Sequence, residues 1–204
     1  MTSFRSVIAI LCAAAVAMPS LIVAQTSPRK TPEEMKTAYE AHKADFDYLL
    51  GDWEFTTISK TYGKGRGYWS ALRLATGQIL DEFRIVGDND ETYYVTTTVR
   101  AYNAARDRWE LVGMNNGGGL QDVGTGRRVG AEVRIEQNFG VASQNVSTLR
   151  IRYFNIEPDR FSWKADRSND GGKTWIADDQ QIEARRIGPP RSLPPLTKTT
   201  EASK

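Results

Sequence analysis

The 204-residue chain has little of the side-chain chemistry that metal sites and nucleophilic catalysis need. Its single cysteine is Cys12 and its single histidine is His42. A zinc site uses several cysteine or histidine ligands, and one cysteine cannot form a disulfide within the chain. A Ser-His-Asp triad or a haem ligand would have to use His42, which precedes the first predicted strand. We therefore expect a solvated helical histidine, no metal, no cofactor and no catalytic residue.

The chain also lacks a block of charge of one sign. It has 27 lysines and arginines against 25 aspartates and glutamates, mixed along its length, for a net charge of +2. Proteins that bind nucleic acid or anionic lipid concentrate basic residues on one tail or face. The composition therefore predicts a solvated surface of mixed charge and argues against a nucleic-acid partner.

Long apolar runs are limited to the first 24 residues. Arg5 precedes an apolar run over residues 7–17, and Pro19 interrupts that run soon after it. A membrane-spanning helix needs ~20 consecutive apolar residues, whereas a signal peptide has this shorter length and this order of segments. We predict a signal peptide at residues 1–24, cleaved after Ala24. The mature protein is then periplasmic or secreted, with no stable membrane insertion.

A short helix is predicted after a polar linker, together spanning residues 25–44. Thr31 is a suitable N-cap, Pro32 suits the first helical position, and Glu34 completes a capping box. The helix is expected to run to about Asp45 or Leu49, and Gly51 ends it. Its expected buried side chains are Met35, Tyr39, Phe46, Leu49 and Leu50.

Nearly everything after this helix has the composition of β-strands joined by tight turns. Nine runs are rich in β-branched and aromatic residues and bounded by Gly, Asn or Asp. They are Asp52–Lys60, Gly67–Ala75, Gln78–Val86, Thr92–Tyr102, Arg108–Met114, Val129–Asn138, Ser147–Glu157, Arg160–Asp166 and Thr174–Ile187. Consecutive hairpins without intervening helices form a meander, which hides its edges by closing. Residues 45–187 are thus predicted to form one all-β, antiparallel up-and-down barrel of about eight to ten strands.

Two segments depart from the strand pattern. Residues 115–126 hold five glycines, which indicates a flexible flap at the barrel mouth or a wide hairpin, with Asn115 within reach of a ligand. Residues 188–204 hold four prolines among polar residues. Polar, proline-rich tails rarely pack, so this tail is predicted to be disordered.

The pattern Phe-x-x-Leu-x-Gly-x-Trp at Phe46–Trp53 resembles a family of secreted bacterial domains of unknown function that have lipocalin-like (calycin-type) β-barrels. Three later segments are similar to that family too: Leu80–Phe83, Ala101–Trp109 and Ser168–Trp175. The resemblance spans about residues 45–187. It implies a barrel fold and an exported protein. The family has no settled activity, so the resemblance implies no catalytic residues.

Gly51-x-Trp53 also resembles the first-strand signature of lipocalins. In those proteins the tryptophan closes one barrel end, and an arginine of the last strand stacks on it by a cation–π contact. Strand parity puts Arg186 on the same face as Ile182 and Ala184. Arg186 is therefore the expected partner of Trp53, in a structural role.

Strand-borne charges and aromatic residues are the candidates for a ligand site in the barrel. Asp81 and Glu82 lie on opposite faces of one strand, so one of them could be an interior acid. An interior arginine would favour a ligand with a carboxylate or phosphate head. Aromatic walls would suit an apolar or planar ligand. The candidate ligand-binding residues are Glu82, Arg84, Arg100, Trp109, Asn115, Tyr153 and Trp163.

Three functions fit such a barrel. The first is non-catalytic binding of a small, mostly apolar molecule, which could carry an anionic head. The second is an isomerase or hydrolase that uses Glu82 or Asp81 with a tyrosine in the lumen. The third is a structural or interaction module whose barrel is filled by its own aromatic side chains. An open lumen with a paired acid and tyrosine would favour the enzyme, and a packed lumen would favour the third function.

Overall fold

The computed structural model describes residues 29–193 of the chain. The predicted signal peptide and residues 194–204 of the predicted tail lie outside the described residues. Within residues 29–193, no helix has the length and apolar character needed to cross a membrane.

The helix α1 spans Pro32–His42 and is shorter than the sequence predicts. Its capping box is formed: the Thr31 hydroxyl accepts from the Glu34 backbone N–H, and Glu34 accepts from the Thr31 backbone N–H. The chain then turns inward at Asp45, whose Oδ2 lies 3.0 Å from His42 Nδ1 and accepts from Trp109 Nε1. The helix α1 therefore ends before the chain enters the barrel, and none of its own residues is buried.

The expected buried stripe is consequently divided between two elements. Phe46, Leu49 and Leu50 lie after α1, around a 3-10 turn at Asp47–Leu49, and all three are in the barrel core. Met35 and Tyr39 remain half-buried on α1, outside the core. His42 is partly exposed and stacks on Tyr102, with ring centroids 5.1 Å apart.

Ten antiparallel strands close into a barrel, which confirms the predicted fold class. Each strand pairs with the next along the chain, and β1 pairs with both β2 and β10 to close the sheet. A two-residue strand, β11, runs parallel to β2. The strands are β1 Gly51–Ser59, β2 Gly63–Arg73, β3 Ile79–Val86, β4 Thr92–Asn103, β5 Arg108–Asn115, β6 Gly119–Val129, β7 Glu132–Phe139, β8 Ser147–Phe154, β9 Arg160–Ser168, β10 Ile176–Gly188 and β11 Arg191–Ser192.

The strand β6 lies mostly in the glycine-rich segment for which the sequence predicts a flap or a wide hairpin. The segment forms the β5–β6 hairpin, so of the two alternatives the hairpin is correct and the flexible flap is wrong. Gly124 and Gly126 allow a close approach to β7, which is a known reason for glycine within a strand. A Cβ at Gly126 would lie 2.8 Å from Ile135 Cγ1 and from the Arg134 carbonyl oxygen, both on β7. Only the turn at residues 116–118 remains outside the strands.

The chain stays ordered beyond the point at which the sequence predicts the disordered tail. Gly188 is the last residue of β10, and Arg191–Ser192 pair with Leu72 and Arg73 of β2. Arg191 Nη2 also donates to Asp52 Oδ1 over 2.6 Å. The backbone pairing with β2 and the ion pair with Asp52 hold residues 188–192 against the barrel. The prolines at 189 and 190 are compatible with this position, because proline is excluded from central strands but not from a sheet edge.

One end of the barrel is closed around Trp53. This side chain is fully buried, and its Nε1 donates to the Leu49 carbonyl over 2.9 Å. Arg186 lies over the indole, with Cζ 4.1 Å from the ring centroid, which is the pairing expected from strand parity. Its guanidinium also donates to the carbonyls of Tyr48, Leu50 and Pro158. Arg186 thus ties the last strand to the turn that plugs the barrel.

The substitution Arg186→Ala should lower the free energy of unfolding by about 2–3 kcal/mol, because three carbonyls, two of them partly buried, lose a charged donor and the Trp53 ring loses its cation–π contact. Urea unfolding followed by tryptophan fluorescence measures the change. The matched control is Arg185→Ala, whose guanidinium pairs with the exposed Glu54 on the outer face. That control should change stability by about 0.5 kcal/mol or less. Equal losses in the two variants would contradict the closure role.

Candidate functional site

The opposite end of the barrel opens into a cavity of about 860 Å³. Part of its rim is formed by Tyr62 of the β1–β2 turn, Lys64 at the start of β2 and Asp88 of the β3–β4 turn. The walls combine aromatic and apolar side chains with hydroxyl and amide groups. They include Trp69, Phe83, Leu149, Ile151, Tyr153, Trp163, Thr57, Thr96, Thr98, Gln137 and Gln180. The barrel formed by the described residues is therefore not filled by its own side chains. This argues against a structural or interaction module with a filled barrel, which is the third function considered above.

A buried ion pair between Asp81 of β3 and Arg100 of β4 lies deep in the cavity. Asp81 Oδ2 accepts from Arg100 Nε over 2.6 Å, and Oδ1 accepts from Arg100 Nη2 and from Trp69 Nε1. Asp81 and Arg100 are only 2% and 3% exposed. The Arg100 guanidinium rests on Phe46, 5.1 Å from its ring centroid. The pair therefore lies between the cavity and the closed end of the barrel, which is filled by the turn at residues 45–50, called the plug below.

Arg100 is not fully satisfied by this pairing. Its Nη1 is buried and has no hydrogen-bond acceptor among residues 29–193. A buried donor without a partner costs about 1–3 kcal/mol, so such groups tend to mark a functional requirement. The neighbouring Tyr153 lies in the same environment, where burial raises the pKa of its hydroxyl to about 12 although the Arg100 charge opposes this.

A third carboxylate, Asp122 of β6, also faces the cavity and is 2% exposed. It lies opposite Gly113 of β5, where a Cβ would come within 2.4 Å of its carboxylate atoms. Glycine at 113 thus allows the carboxylate to lie across β5 towards β4. Burial raises the Asp122 pKa to about 6, while the charge of Arg100 lowers it and that of Asp81 raises it. Its Oδ1 has no donor among the described residues.

A second buried ion pair lies nearer the mouth. Arg167 Nε of β9 donates to Asp179 Oδ2 of β10 over 2.7 Å, and the Thr61 hydroxyl donates to Asp179 Oδ1. The Arg167 guanidinium lies 5.4 Å from the Tyr62 ring centroid. Each cavity arginine is therefore matched by an aspartate, and Asp122 adds one further carboxylate. The buried charged groups of the lumen, two arginines and three aspartates, therefore carry no net positive charge.

Three of the predicted ligand-binding residues, Arg100, Tyr153 and Trp163, line this cavity. Glu82 and Arg84 do not line it, contrary to the sequence prediction. They lie on the outer face of β3, paired with each other over 2.6 Å, with side chains 45% and 42% exposed. Because side chains alternate along a strand, the inward position of Asp81 places residues 82 and 84 outside.

Trp109 and Asn115 also lie away from the cavity walls. Trp109 is buried in the plug, where its Nε1 donates to Asp45 Oδ2 over 3.2 Å and its ring packs edge-on against Phe46. Asn115 is the last residue of β5, half-buried beside the turn to β6. Inward parity alone does not distinguish a plug residue from a wall residue, because both point into the barrel.

Two charged wall residues were missed by reasoning from the sequence. Arg167 continues the inward series Phe161, Trp163 and Ala165, so strand parity could have identified it. Asp122 lay inside the presumed flap. Its signal is the glycine at 113, which leaves room for the carboxylate on the neighbouring strand.

Comparison with known proteins supports the fold. No family model matches the chain, and no curated protein matches it significantly. Among solved structures, the crystal structure of Rv2717c from M. tuberculosis is similar, with 17% sequence identity and a TM-score of 0.54. The match covers 74% of this chain and 97% of that chain. At this identity the likeness shows a shared barrel fold alone.

The Asp122 carboxyl predicts a specific pH dependence of stability. Its pKa is raised from 3.8 to about 6 in the fold, so the native state favours the protonated form. The resulting stability is present below about pH 4 and is lost as pH rises through about 6. Asp122→Asn should therefore exceed the wild type in unfolding free energy by about 2 kcal/mol at pH 7, and match it near pH 4. A pH-independent difference in urea unfolding would contradict the raised pKa.

Proposed function

We propose that the protein binds one small, mostly apolar molecule in the barrel lumen without transforming it. The cavity of about 860 Å³ carries this proposal. Small-molecule sites are concave spaces of about 300–1,000 Å³ with apolar walls and a few well-placed polar groups. Here Trp69, Tyr153 and Trp163 supply aromatic wall, while Arg100 and Asp122 supply polar atoms without partners.

The charge balance of the lumen favours a ligand without net charge over one with an anionic head. An interior arginine alone would suit a carboxylate or phosphate, which is the reason the sequence suggested such a head. Asp81 and Asp179 already neutralise the two interior arginines, and Asp122 adds a negative charge at neutral pH. An anion entering this lumen would meet that unpaired carboxylate.

We also propose that the protein acts outside the cytoplasm and belongs with the secreted barrel domains that it resembles. The order of Arg5, the apolar run and Pro19 supports export, and the motifs around Trp53 support the relationship. A protein in the periplasm or outside the cell would bind ligands present there, and such ligands would not have to cross the inner membrane to reach it.

An enzyme of the barrel lumen is the second candidate function, and Asp122 favours it. Asp81 is held by Arg100 and Trp69, and Glu82 lies on the outer face, so neither is free to move a proton in the cavity. Asp122 lines the cavity, burial raises its pKa to about 6, and its Oδ1 has no partner among the described residues, which are properties that suit a general base. Recovery of a bound compound unchanged after long incubation would favour binding over catalysis.

Fluorescence of N-phenyl-1-naphthylamine, an uncharged apolar probe, tests lumen binding. The wild type should enhance its emission with saturation at one probe per chain. Thr98→Trp, on an inward β4 position, should fill part of the lumen and weaken binding about tenfold or more. The matched control is Thr97→Trp on the same strand, at a position outside the cavity lining, which should bind as the wild type does.

Circular dichroism confirms that both tryptophan variants fold, and Thr96→Trp provides a second inward position if Thr98→Trp does not. Equal binding by the inward and outward variants would place the probe on the barrel surface. Absence of any saturable binding would argue against the proposed function.

A further inference from the structure

Two side chains that line the lumen, Arg100 and Asp122, each hold one buried polar atom without a hydrogen-bond partner among the described residues, and the two atoms are of opposite hydrogen-bonding character. Arg100 Nη1 can only donate, and Asp122 Oδ1, when ionised, can only accept. Both side chains are at least nine-tenths buried, and both line the cavity. Neither atom has a hydrogen-bond partner among residues 29–193.

The strand register brings the two groups to one region of the wall. Asp122 lies opposite Gly113, and Gly113 lies opposite Thr98, which is two residues from Arg100 on the same face of β4. Because residue 113 has no side chain, the Asp122 carboxylate extends across β5 towards this position. The two groups are close enough for the Arg100 charge to lower the Asp122 pKa.

Both groups are also held in place before any ligand arrives. Arg100 is fixed by two bonds to Asp81, which leaves Nη1 with a defined direction. Asp122 is confined to the space above Gly113. Preorganised groups of this kind give selectivity, because a ligand that cannot match them leaves them buried and unpaired.

Only some chemical groups satisfy both atoms. A carboxylate accepts from Arg100 but opposes Asp122, and an ammonium does the reverse. An ester accepts but has no hydrogen to donate. A primary or secondary amide, including a lactam, presents a carbonyl oxygen beside an N–H and carries no charge. Trp69, Tyr153 and Trp163 provide aromatic surface for a planar ring attached to it.

We propose that the lumen is selective for uncharged aromatic amides, with the amide carbonyl accepting from Arg100 Nη1 and the amide N–H donating to Asp122 Oδ1. This rests on the proposed binding function and adds the chemical class of the ligand.

Four compounds that share a naphthalene ring test the proposal: naphthalene-2-carboxamide, methyl 2-naphthoate, 2-naphthoate and 2-ethylnaphthalene. Their dissociation constants are measured by quenching of tryptophan fluorescence at pH 7.5. The carboxamide should bind the wild type about tenfold tighter than the ester and the hydrocarbon, and tighter still than the carboxylate, because only the amide pairs both buried groups.

Asp122→Leu should remove the preference. The carboxamide should lose about tenfold in affinity, the ester should be unchanged, and 2-naphthoate should improve because an opposing carboxylate is gone. Gly113→Ala should have a similar effect on the carboxamide by displacing Asp122 without altering any charge. The matched control is Glu136→Leu, an exposed carboxylate on the adjacent strand β7, which should leave the order of affinities unchanged.

The outcomes separate this inference from the binding function. Equal affinities for all four compounds, or a preference for the carboxylate, would overturn the amide inference and leave lumen binding intact. Failure of the carboxamide to bind a protein that binds N-phenyl-1-naphthylamine would also overturn it. Failure of every probe would instead remove the binding function itself. If Asp122→Leu does not fold, the order of the four compounds on the wild type and on Gly113→Ala still decides.

Discussion

The ion pair between Asp81 and Arg100 is the constraint on which the interior depends. Two charges removed from water must satisfy each other, since breaking such a pair costs about 3–5 kcal/mol. Asp81 of β3 accepts hydrogen bonds from both Arg100 of β4 and Trp69 of β2. These bonds fix which side chains of the three neighbouring strands point into the barrel. Asp81 accepts from Nε and Nη2 of Arg100, and Arg100 Nη1 is left buried without a partner among the described residues.

The two ends of the barrel differ because the chain closes one of them with its own residues. The turn before β1 carries Phe46 and Leu49 into the barrel, and Trp53 with Arg186 fastens that turn to the last strand. Closure of the sheet leaves no long edge strand to be protected. The opposite end is bordered by the turns β1–β2 and β3–β4, and the lumen is open from that side. Binding is therefore expected at the open half.

The barrel was predictable from the sequence because nine of its ten strands follow a period of two with turn residues between them. The pairing of Trp53 with Arg186 followed from parity in the same way. Parity did not say which of Asp81 and Glu82 faces inward, and the structure selects Asp81. Strand β6 escaped detection because its glycines serve a contact with β7, which depends on tertiary structure. Asp122 was lost with that strand, and its raised pKa arises from burial that no local pattern records.

The crystal structure of the protein with naphthalene-2-carboxamide would test the account most directly. The account predicts the naphthalene ring against Trp69, Tyr153 and Trp163, with the amide at the deep end of the lumen. The carbonyl oxygen should lie within about 3 Å of Arg100 Nη1, and the amide nitrogen at a similar distance from Asp122 Oδ1. A lumen without the compound, or an amide that points to the mouth while Arg100 and Asp122 stay unpaired, would contradict it.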